Sequence, residues 1–368
     1  MSGTTGIAET FPPGVYLRDE LEARGWTIAE FAEILGRPTQ AVSEILNGRK
    51  TITATTAKEI GGALGTSPDV WLNLQNAYLL KTQGPAPSAL TEVTRKAKIR
   101  ERVPVAEIRR LGWIPASQSL DQMEEAVCQL LGVSSLEEEP QLALAARRAN
   151  TAEPLSASQQ AWLGRVRQLG LAVRTAPFDA DRAASLAALL GTRLSDPTRI
   201  SDLPGWFART GIAVVFVRAL KGSKIDGVAI RANPDRVIIG LSGRGNRFDG
   251  AVFTLAHELA HVVLGHLENS EGVLLDEDLH SATETIQQEA NIQANQWLFP
   301  HGISIEPPYS RRAIQRAAAS MGCHPSLLVG NLQWNGKLAW SHLNGLIPRL
   351  SELLPEFSGS PSTGSTST

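Results

Sequence analysis

Residues 253–266 read FTLAHELAHVVLGH, and this stretch holds His257 and His261 four positions apart, with Glu258 directly after the first. Four residues of an α-helix advance about 400°, so the two imidazoles point the same way, one turn apart. Both rings can then bind one Zn2+, while Glu258 lies beside them as general base for a water molecule. The stretch therefore predicts a helix that carries a catalytic zinc site.

The flanking residues predict that one side of this helix is buried. Val252, Ala256, Leu259 and Val263 recur at helical spacing and form an apolar face. All seven histidines of the chain fall at or after His257, so histidine chemistry belongs to the C-terminal third. The alternative interpretation is a buried helix whose two histidines are hydrogen-bonded and hold no metal.

A zinc site of this type needs a third protein ligand. The metzincin pattern is excluded, because Gly265 and His266 stand eight and nine residues after the first histidine instead of seven and ten. A carboxylate on the next predicted helix is the alternative, and both Glu284 and Glu289 qualify. We expect His266 to be a solvated histidine near the helix end, with a contact to a ligand side chain as the alternative.

The same stretch, with EAN at 289–291 and LFP at 298–300, resembles the ImmA/IrrE family of metallopeptidases over roughly residues 205–305. The resemblance implies that His257, His261 and Glu289 bind Zn2+ and that Glu258 is the catalytic base. It also implies a substrate class, because such peptidases typically cleave repressors or antitoxins. Phe299 replaces the usual methionine of the closing turn, which is a mild departure.

The N-terminal 80 residues predict a bundle of five short helices with clear boundary signals. Thr27 and Glu30 form a capping box at the start of the second helix. Gly36 separates that helix from a third one, which runs to Leu46 and ends at Asn47-Gly48. Two short helices joined in this way are consistent with a helix-turn-helix.

The third helix is then the recognition helix. Its outward side chains near the bases would be Thr39, Gln40 and Ser43. The residues suited to phosphate contacts are Asn47, Arg49 and Lys50. Residues 14–80 contain six Arg/Lys and eight Asp/Glu, so charge alone does not favour DNA over a protein partner. A helical protein-interaction bundle is the open alternative.

Two segments of this region, TQAVSEILNGRKTIT at 39–53 and WLNLQNAYLL at 71–80, resemble the HigA-type antitoxin branch of Cro/repressor-like helix-turn-helix domains. The resemblance covers nearly all of the 70-residue stretch. It implies that the chain binds operator DNA as a homodimer and represses its own operon. A toxin partner is a further implication of the same resemblance.

After residue 210 the pattern changes to β-branched runs. Residues 212–217 and 237–240 predict strands, and 228–230 predicts a strand that pairs with 237–240 through a turn at 233–236. Helices are predicted over about 250–264 and 282–299. The predicted fold class is therefore α+β, mainly α, with a small β-sheet and the HExxH helix in a zincin-like C-terminal domain.

We expect five segments along the chain. They are a helix-turn-helix domain (1–81), a basic linker (82–116), a helical connector (117–205), the peptidase domain with a helical C-terminal extension (206–357) and a disordered tail (358–368). The linker is basic because residues 95–110 hold seven Arg/Lys against two Glu. The connector contains no cluster of ligand-type residues.

Composition limits the class of protein. Apolar residues make up 42% and charged residues 20%, with a net charge of -2, which excludes a highly basic coat protein and an acidic disordered scaffold. No apolar run is long enough for a membrane span, and the N-terminus lacks the features of a signal peptide. With only two cysteines, the chain is expected to be cytoplasmic.

Two functions from different classes follow. The first is a DNA-binding regulatory protein with a zinc-dependent endopeptidase domain that cleaves a repressor or an antitoxin, this chain itself included. The second is a transcriptional repressor or antitoxin whose metal domain is a sensor or structural module without proteolytic activity. Glu258 favours the first, because a purely structural site needs ligands but no base.

Overall fold

The computed structural model describes residues 11–82, 88–116, 119–143, 154–268, 272–277 and 285–357. It divides into two compact units, Met1–Val93 and Thr94–Thr368. The predicted tail at 358–368 and the candidate ligand Glu284 lie outside the described residues. No helix among the described residues is long and apolar enough to cross a membrane.

The first unit is the predicted helical bundle. Its helices are α1 (Pro13–Arg24), α2 (Ile28–Ile34), α3 (Thr39–Leu46), α4 (Ala54–Leu64) and α5 (Pro68–Thr82). The predicted capping box of α2 is present, formed by Thr27 and Glu30, and Gly25 ends α1 in the left-handed conformation. Fully buried side chains, among them Leu17 and Phe31, give this unit its own core.

The second unit combines helices with one sheet. Its helices are α6 (Ser88–Arg102, which begins before the unit boundary), α7 (Val105–Arg110), α8 (Leu120–Leu131), α9 (Ala157–Ala172), α10 (Ala180–Ala187), α11 (Leu190–Arg193), α12 (Leu203–Ala208), α13 (Phe248–Val263), α14 (Thr285–Leu298), α15 (Arg311–Met321), α16 (Pro325–Trp334) and α17 (Leu350–Leu353). The strands are β1 (Ile212–Phe216), β2 (Ile225–Asn233), β3 (Arg236–Leu241) and β4 (Val273–Glu277). The mainly helical α+β class predicted from the sequence is confirmed.

The strands of the described residues form a sheet in the order β1-β3-β2-β4. β1 runs parallel to β3, whereas β2 is antiparallel to both β3 and β4. The predicted hairpin is present, because β2 pairs with β3 across the turn that follows Asn233. β4 was not predicted, and it lies next to segments that the structure does not describe.

Both faces of the sheet are covered by helices. Alternate residues of β1 point to opposite sides, so Ile212 and Val214 join one buried cluster while Ala213 and Val215 join the other. α13 and α14 contribute to the first cluster, and α6 to α9 contribute to the second. The unit is thus a sheet between two helical layers.

Most of the segment predicted as a basic linker, 82–116, is folded into the second helical layer. Ile99 on α6 and Ile108 on α7 are fully buried there, together with Val103 between the two helices. Their spacing gives the segment an apolar side, and some of its basic residues also contact the layer, as Arg95 does with Asp121 and Glu124 of α8. The predicted connector supplies α8 and α9 to the same layer.

The packing of α13 places the HExxH motif in the interior. Ala256 and Ala260 on α13 and Ala290 and Ala294 on α14 are all fully buried, and small side chains allow the two helices to approach closely. On its other side α13 lies against the sheet. The polar residues of the motif are therefore enclosed between α14 and β2.

Candidate metal centre and recognition helix

The three motif residues of α13 are fully buried: His257, Glu258 and His261 each expose 0% of their surface. Buried imidazoles and carboxylates need polar partners or a metal ion, because desolvation is costly. The two imidazoles lie edge to face with their centroids 4.6 Å apart, as expected for positions one helical turn apart.

The two histidines direct the same ring atom at one point. Nε2 of His257 lies 2.9 Å from Nε2 of His261. The amide oxygen Oε1 of Gln287, on α14, lies 2.8 Å from the first nitrogen and 3.3 Å from the second. Two nitrogens and one oxygen therefore surround a common centre.

The opposite ring nitrogens are held by a second set of residues. Nδ1 of His257 is 2.9 Å from Oδ1 of Asn291, an acceptor on α14. Nδ1 of His261 is 2.9 Å from Nδ1 of His266, whose Nε2 in turn lies 3.2 Å from Oε2 of Glu289. The expectation of a solvated His266 is wrong: this residue is 8% exposed and lies within the site.

Glu289, the ligand implied by the family resemblance, is not brought to the paired Nε2 atoms. Its carboxylate contacts His266, and its side chain is 54% exposed. Among the described residues, no group of three or more His, Cys, Asp or Glu side chains converges on a metal position. The oxygen that does converge with the histidines belongs to the Gln287 amide, which sequence reasoning missed.

One set of histidine tautomers gives a donor set that fits a cation. A carboxylate only accepts, so in the tautomer of His266 that donates Nε2–H to Glu289, Nδ1 accepts from His261. His257 likewise donates its Nδ1–H to Asn291. Both Nε2 atoms then carry lone pairs that face each other, beside the lone pairs of the amide oxygen. Such a set suits Zn2+, whose tetrahedral nitrogen ligands stand about 3.3 Å apart.

The carboxylate of Glu258 lies against the backbone of β2. A Cβ atom added at Gly227 would lie 2.2 Å from Oε1 of Glu258 and 2.7 Å from Cγ2 of Thr254. A larger residue at this point would therefore displace the carboxylate, the Thr254 side chain or the strand. Strand β2 therefore limits where the buried side chain of Glu258 can lie.

A cavity of about 390 Å³ reaches this part of α13. Phe253 and Thr254, one turn before the motif residues, contribute to its wall, as do Trp334 and Trp340 of the C-terminal extension. The Phe253 ring lies 6.3 Å from the His257 ring and 5.7 Å from that of Trp334. The cavity has the size of a ligand or side-chain pocket.

The N-terminal unit presents the predicted recognition helix. Val42, Ile45 and Leu46 are buried, so the opposite side of α3 faces outward. All six predicted DNA-contacting residues keep their side chains at least partly exposed: Thr39, Gln40, Ser43, Asn47, Arg49 and Lys50.

One residue at this surface was not predicted. Arg18 on α1 donates from Nη2 to Oδ1 of Asn47 at 3.3 Å, and the Asn47 amide donates to Oγ of Ser43 at the same distance. The guanidinium thus lies beside a predicted phosphate-contacting residue. The apolar spacing of α1 indicates that Leu17 and Leu21 are buried, as they are. It does not indicate which residue the Arg18 side chain contacts.

Comparisons with known proteins agree with the division into a helix-turn-helix unit and a unit that carries the HExxH helix. The family model described as "Helix-turn-helix" matches residues 17–71, and the model described as "IrrE N-terminal-like domain" matches residues 210–320. Both family resemblances inferred from the motifs are confirmed. The second match contains α13 with the HExxH motif and all of α14.

Relatives match the helix-turn-helix part. The chain is 32% identical over 68 residues to the uncharacterized HTH-type transcriptional regulator YddM of Escherichia coli, covering 18% of this chain and 72% of that protein. It is 40% identical over 57 residues to antitoxin HigA-1 of Vibrio cholerae, covering 16% of this chain and 53% of the antitoxin.

A solved structure of Pseudomonas aeruginosa antitoxin HigA with the higBA promoter shares 33% identity, covering 20% of this chain and 82% of that chain with a TM-score of 0.20. The chain spans only part of the two curated relatives named above, 72% of the regulator and 53% of the antitoxin.

By its recognition unit the chain belongs to the helix-turn-helix transcriptional regulators, and it carries a second, metallopeptidase-type domain that resembles IrrE.

Proposed function

We propose that this protein is a DNA-binding regulator whose second unit is a zinc-dependent endopeptidase that cleaves a repressor or an antitoxin, this chain itself included. The observation that carries the proposal is the buried pair His257 and His261, whose Nε2 atoms lie 2.9 Å apart, on the same helix as the buried Glu258 carboxylate that packs against Gly227. A helix that needed only packing would not enclose three polar groups in this arrangement.

In the proposed reaction, His257 and His261 would hold the metal. Bound Zn2+ would polarise the scissile carbonyl and acidify a water molecule. Glu258 takes the proton from that water and passes it to the leaving nitrogen. Burial of the carboxylate against Gly227 favours this role, because a general base must stay within reach of one water. The cavity beside Thr254 offers room for a substrate side chain.

The N-terminal unit would bring this activity to DNA. We propose that α3 enters the major groove, with Thr39, Gln40 and Ser43 near base edges and with Asn47, Arg49 and Lys50 at phosphates. The low charge of the unit fits operator binding as a homodimer, in which the binding free energies of two half-sites combine. The likeness to antitoxin HigA-1 supports a toxin as a further partner.

One observation favours a second function. The oxygen beside the histidine pair belongs to the neutral amide of Gln287 and not to a carboxylate. A site of this kind suits a repressor or antitoxin whose metal domain senses or is stabilised by the ion and does not cleave protein. The two functions share DNA binding and metal binding, and they differ only in catalysis.

Two substitutions separate them. Wild type, Glu258→Gln and His261→Ala are each incubated with a lysate that lacks this protein, and their zinc content is measured after dialysis. The proposal expects Glu258→Gln to retain zinc and lose cleavage, and His261→Ala to lose both. Equal cleavage by wild type and by folded Glu258→Gln would remove the catalytic assignment.

A further inference from the structure

The register of α14 separates two candidate donors that are only two positions apart in the chain. Two residues of a helix differ by about 200° in direction, so Gln287 and Glu289 cannot both face the histidine pair. Gln287 faces it, with Oε1 at 2.8 Å and 3.3 Å from the two Nε2 atoms. Glu289 faces away, with a side chain that is 54% exposed.

A second contact fixes this register. Asn291 lies one turn after Gln287 on the same side of α14, and its Oδ1 holds Nδ1 of His257 at 2.9 Å. The buried Ala290 and Ala294 hold the adjacent side of the helix against the core. Rotating α14 to bring Glu289 to the centre would break both the Asn291 contact and this packing.

Glu289 nevertheless reaches the centre through other residues. Its carboxylate accepts from His266 at 3.2 Å, and His266 accepts at Nδ1 from His261 at 2.9 Å. This chain of hydrogen bonds favours the tautomer of His261 in which Nδ1 carries the proton and the Nε2 lone pair points towards His257 and Gln287. The contact gives Glu289 a positioning role that does not require direct ligation.

We propose that the amide oxygen of Gln287 is the third protein donor of the metal site, and that Glu289 is a positioning residue acting through His266. The inference rests on the metal site of the proposed function, but it does not depend on peptidase activity. An amide oxygen carries no charge, so this site holds a divalent cation less tightly than a site with two histidines and a carboxylate. The protein would therefore respond to the available zinc concentration.

Metal affinity tests the assignment without any substrate. Zinc affinity of the full-length protein is measured by competition with a chromophoric chelator, and cobalt absorption reports the coordination geometry. Loss of an outer-shell partner typically costs about 10- to 100-fold in metal affinity, so loss of a donor should cost at least as much. We expect Gln287→Ala to weaken zinc binding by about tenfold or more, and Gln287→Glu to strengthen it by a similar factor.

The role of Glu289 is tested in a double-mutant cycle with His266. If Glu289 acts through that histidine, Glu289→Ala weakens zinc binding in the wild type but has little further effect in a His266→Ala background. Glu289→Gln should restore most of the affinity, because an amide oxygen still accepts from Nε2–H. Its cobalt spectrum should match that of the wild type.

The outcomes distinguish this inference from the proposed function. Zinc affinity that depends on Gln287, in a protein that cleaves nothing, supports the inference and removes the peptidase. Unchanged zinc affinity in folded Gln287→Ala, together with loss in Glu289→Ala in both backgrounds, overturns the inference and leaves the peptidase intact. Absence of zinc binding in both wild type and Gln287→Glu also overturns it.

Discussion

At Gly227 the backbone of β2 comes within contact of the Glu258 carboxylate, and a single methyl group would disturb it. Gly227→Ala places Cβ 2.2 Å from Oε1, so the carboxylate or the strand must move. We expect cleavage to fall by at least tenfold and the free energy of unfolding by about 1–3 kcal/mol. Peptidase assays and urea denaturation check this.

Gly205→Ala is the matched control in the same unit. No atom lies within 4 Å of the Cβ position at Gly205 on α12, so this change should leave cleavage unaltered and stability equal or slightly higher. Equal cleavage by Gly227→Ala and Gly205→Ala would mean that the position of the carboxylate does not matter.

Single residues show where the sequence was informative and where it was not. The spacing of His257 and His261 predicted their common direction, because a helix fixes that direction locally. His266 was expected in solvent because it follows the helix end, but contacts with His261 and Glu289 bury it. Gln287 carried only one signal, its four-residue spacing from Asn291, and amides are seldom considered as metal donors.

Among the helices, α16 begins with an unusual cap that makes its stability depend on pH. His324 is its N-cap residue, and Nδ1 accepts from the backbone N–H of Ser326 at 3.2 Å. Burial lowers the pKa of His324, although Asp196 and Asp249 act in the opposite direction. Protonation of Nδ1 would remove the acceptor.

The sign of the pH effect follows from this shift. The unfolded chain binds the proton more readily, so the contribution of the cap is present above pH 6.5 and is lost as pH falls below it. We expect the wild type to lose up to about 1 kcal/mol relative to His324→Asn between pH 7.5 and 5.5. Asparagine keeps a capping oxygen but does not titrate. If the difference in free energy of unfolding between the wild type and His324→Asn were the same at pH 7.5 and pH 5.5, protonation of His324 would not control the stability of the cap.

The recognition helix α3 allows a prediction that separates specificity from affinity. Gln40→Ala should reduce operator binding more than binding to random DNA, because its exposed side chain is assigned to base edges. Lys50→Ala should weaken both equally and lower the salt dependence by about one phosphate contact. Titrations at several salt concentrations measure both effects.

Lys81→Ala, which removes an exposed charge at the end of α5, serves as the control and should change neither. If Gln40→Ala left the discrimination between operator and random DNA unchanged, α3 would lose its assignment as the reading helix.

The elements that the sequence predicted best are those with local boundary signals. The predicted capping box of Thr27 and Glu30 sets the start of α2 without help from distant residues. By contrast, the burial of α6 and α7 depends on contacts with α8, α9 and the sheet. The many basic residues of that segment obscured the apolar side, and a linker was expected.

For the whole molecule, two units with separate cores predict two separable functions. Gln40→Ala should weaken operator binding and leave zinc affinity unchanged, because the helix-turn-helix unit has its own buried cluster. His261→Ala should abolish zinc binding and leave operator binding unchanged. When both proteins are measured without zinc, the operator affinity of this variant should be within about twofold of the wild-type value. A shift in zinc affinity caused by Gln40→Ala would show that the units are energetically coupled.

We propose that Glu258 catalyses proteolysis in a DNA-binding regulator. The most direct test of this proposal compares all protein N-termini in cells that produce equal amounts of wild type or Glu258→Gln, with the zinc content of both proteins verified. We predict new internal N-termini in the wild-type cells only, in a repressor, in an antitoxin or in this chain. Identical sets of N-termini, with both proteins folded and holding zinc, would contradict the claim and favour a regulator whose metal site does not cleave protein.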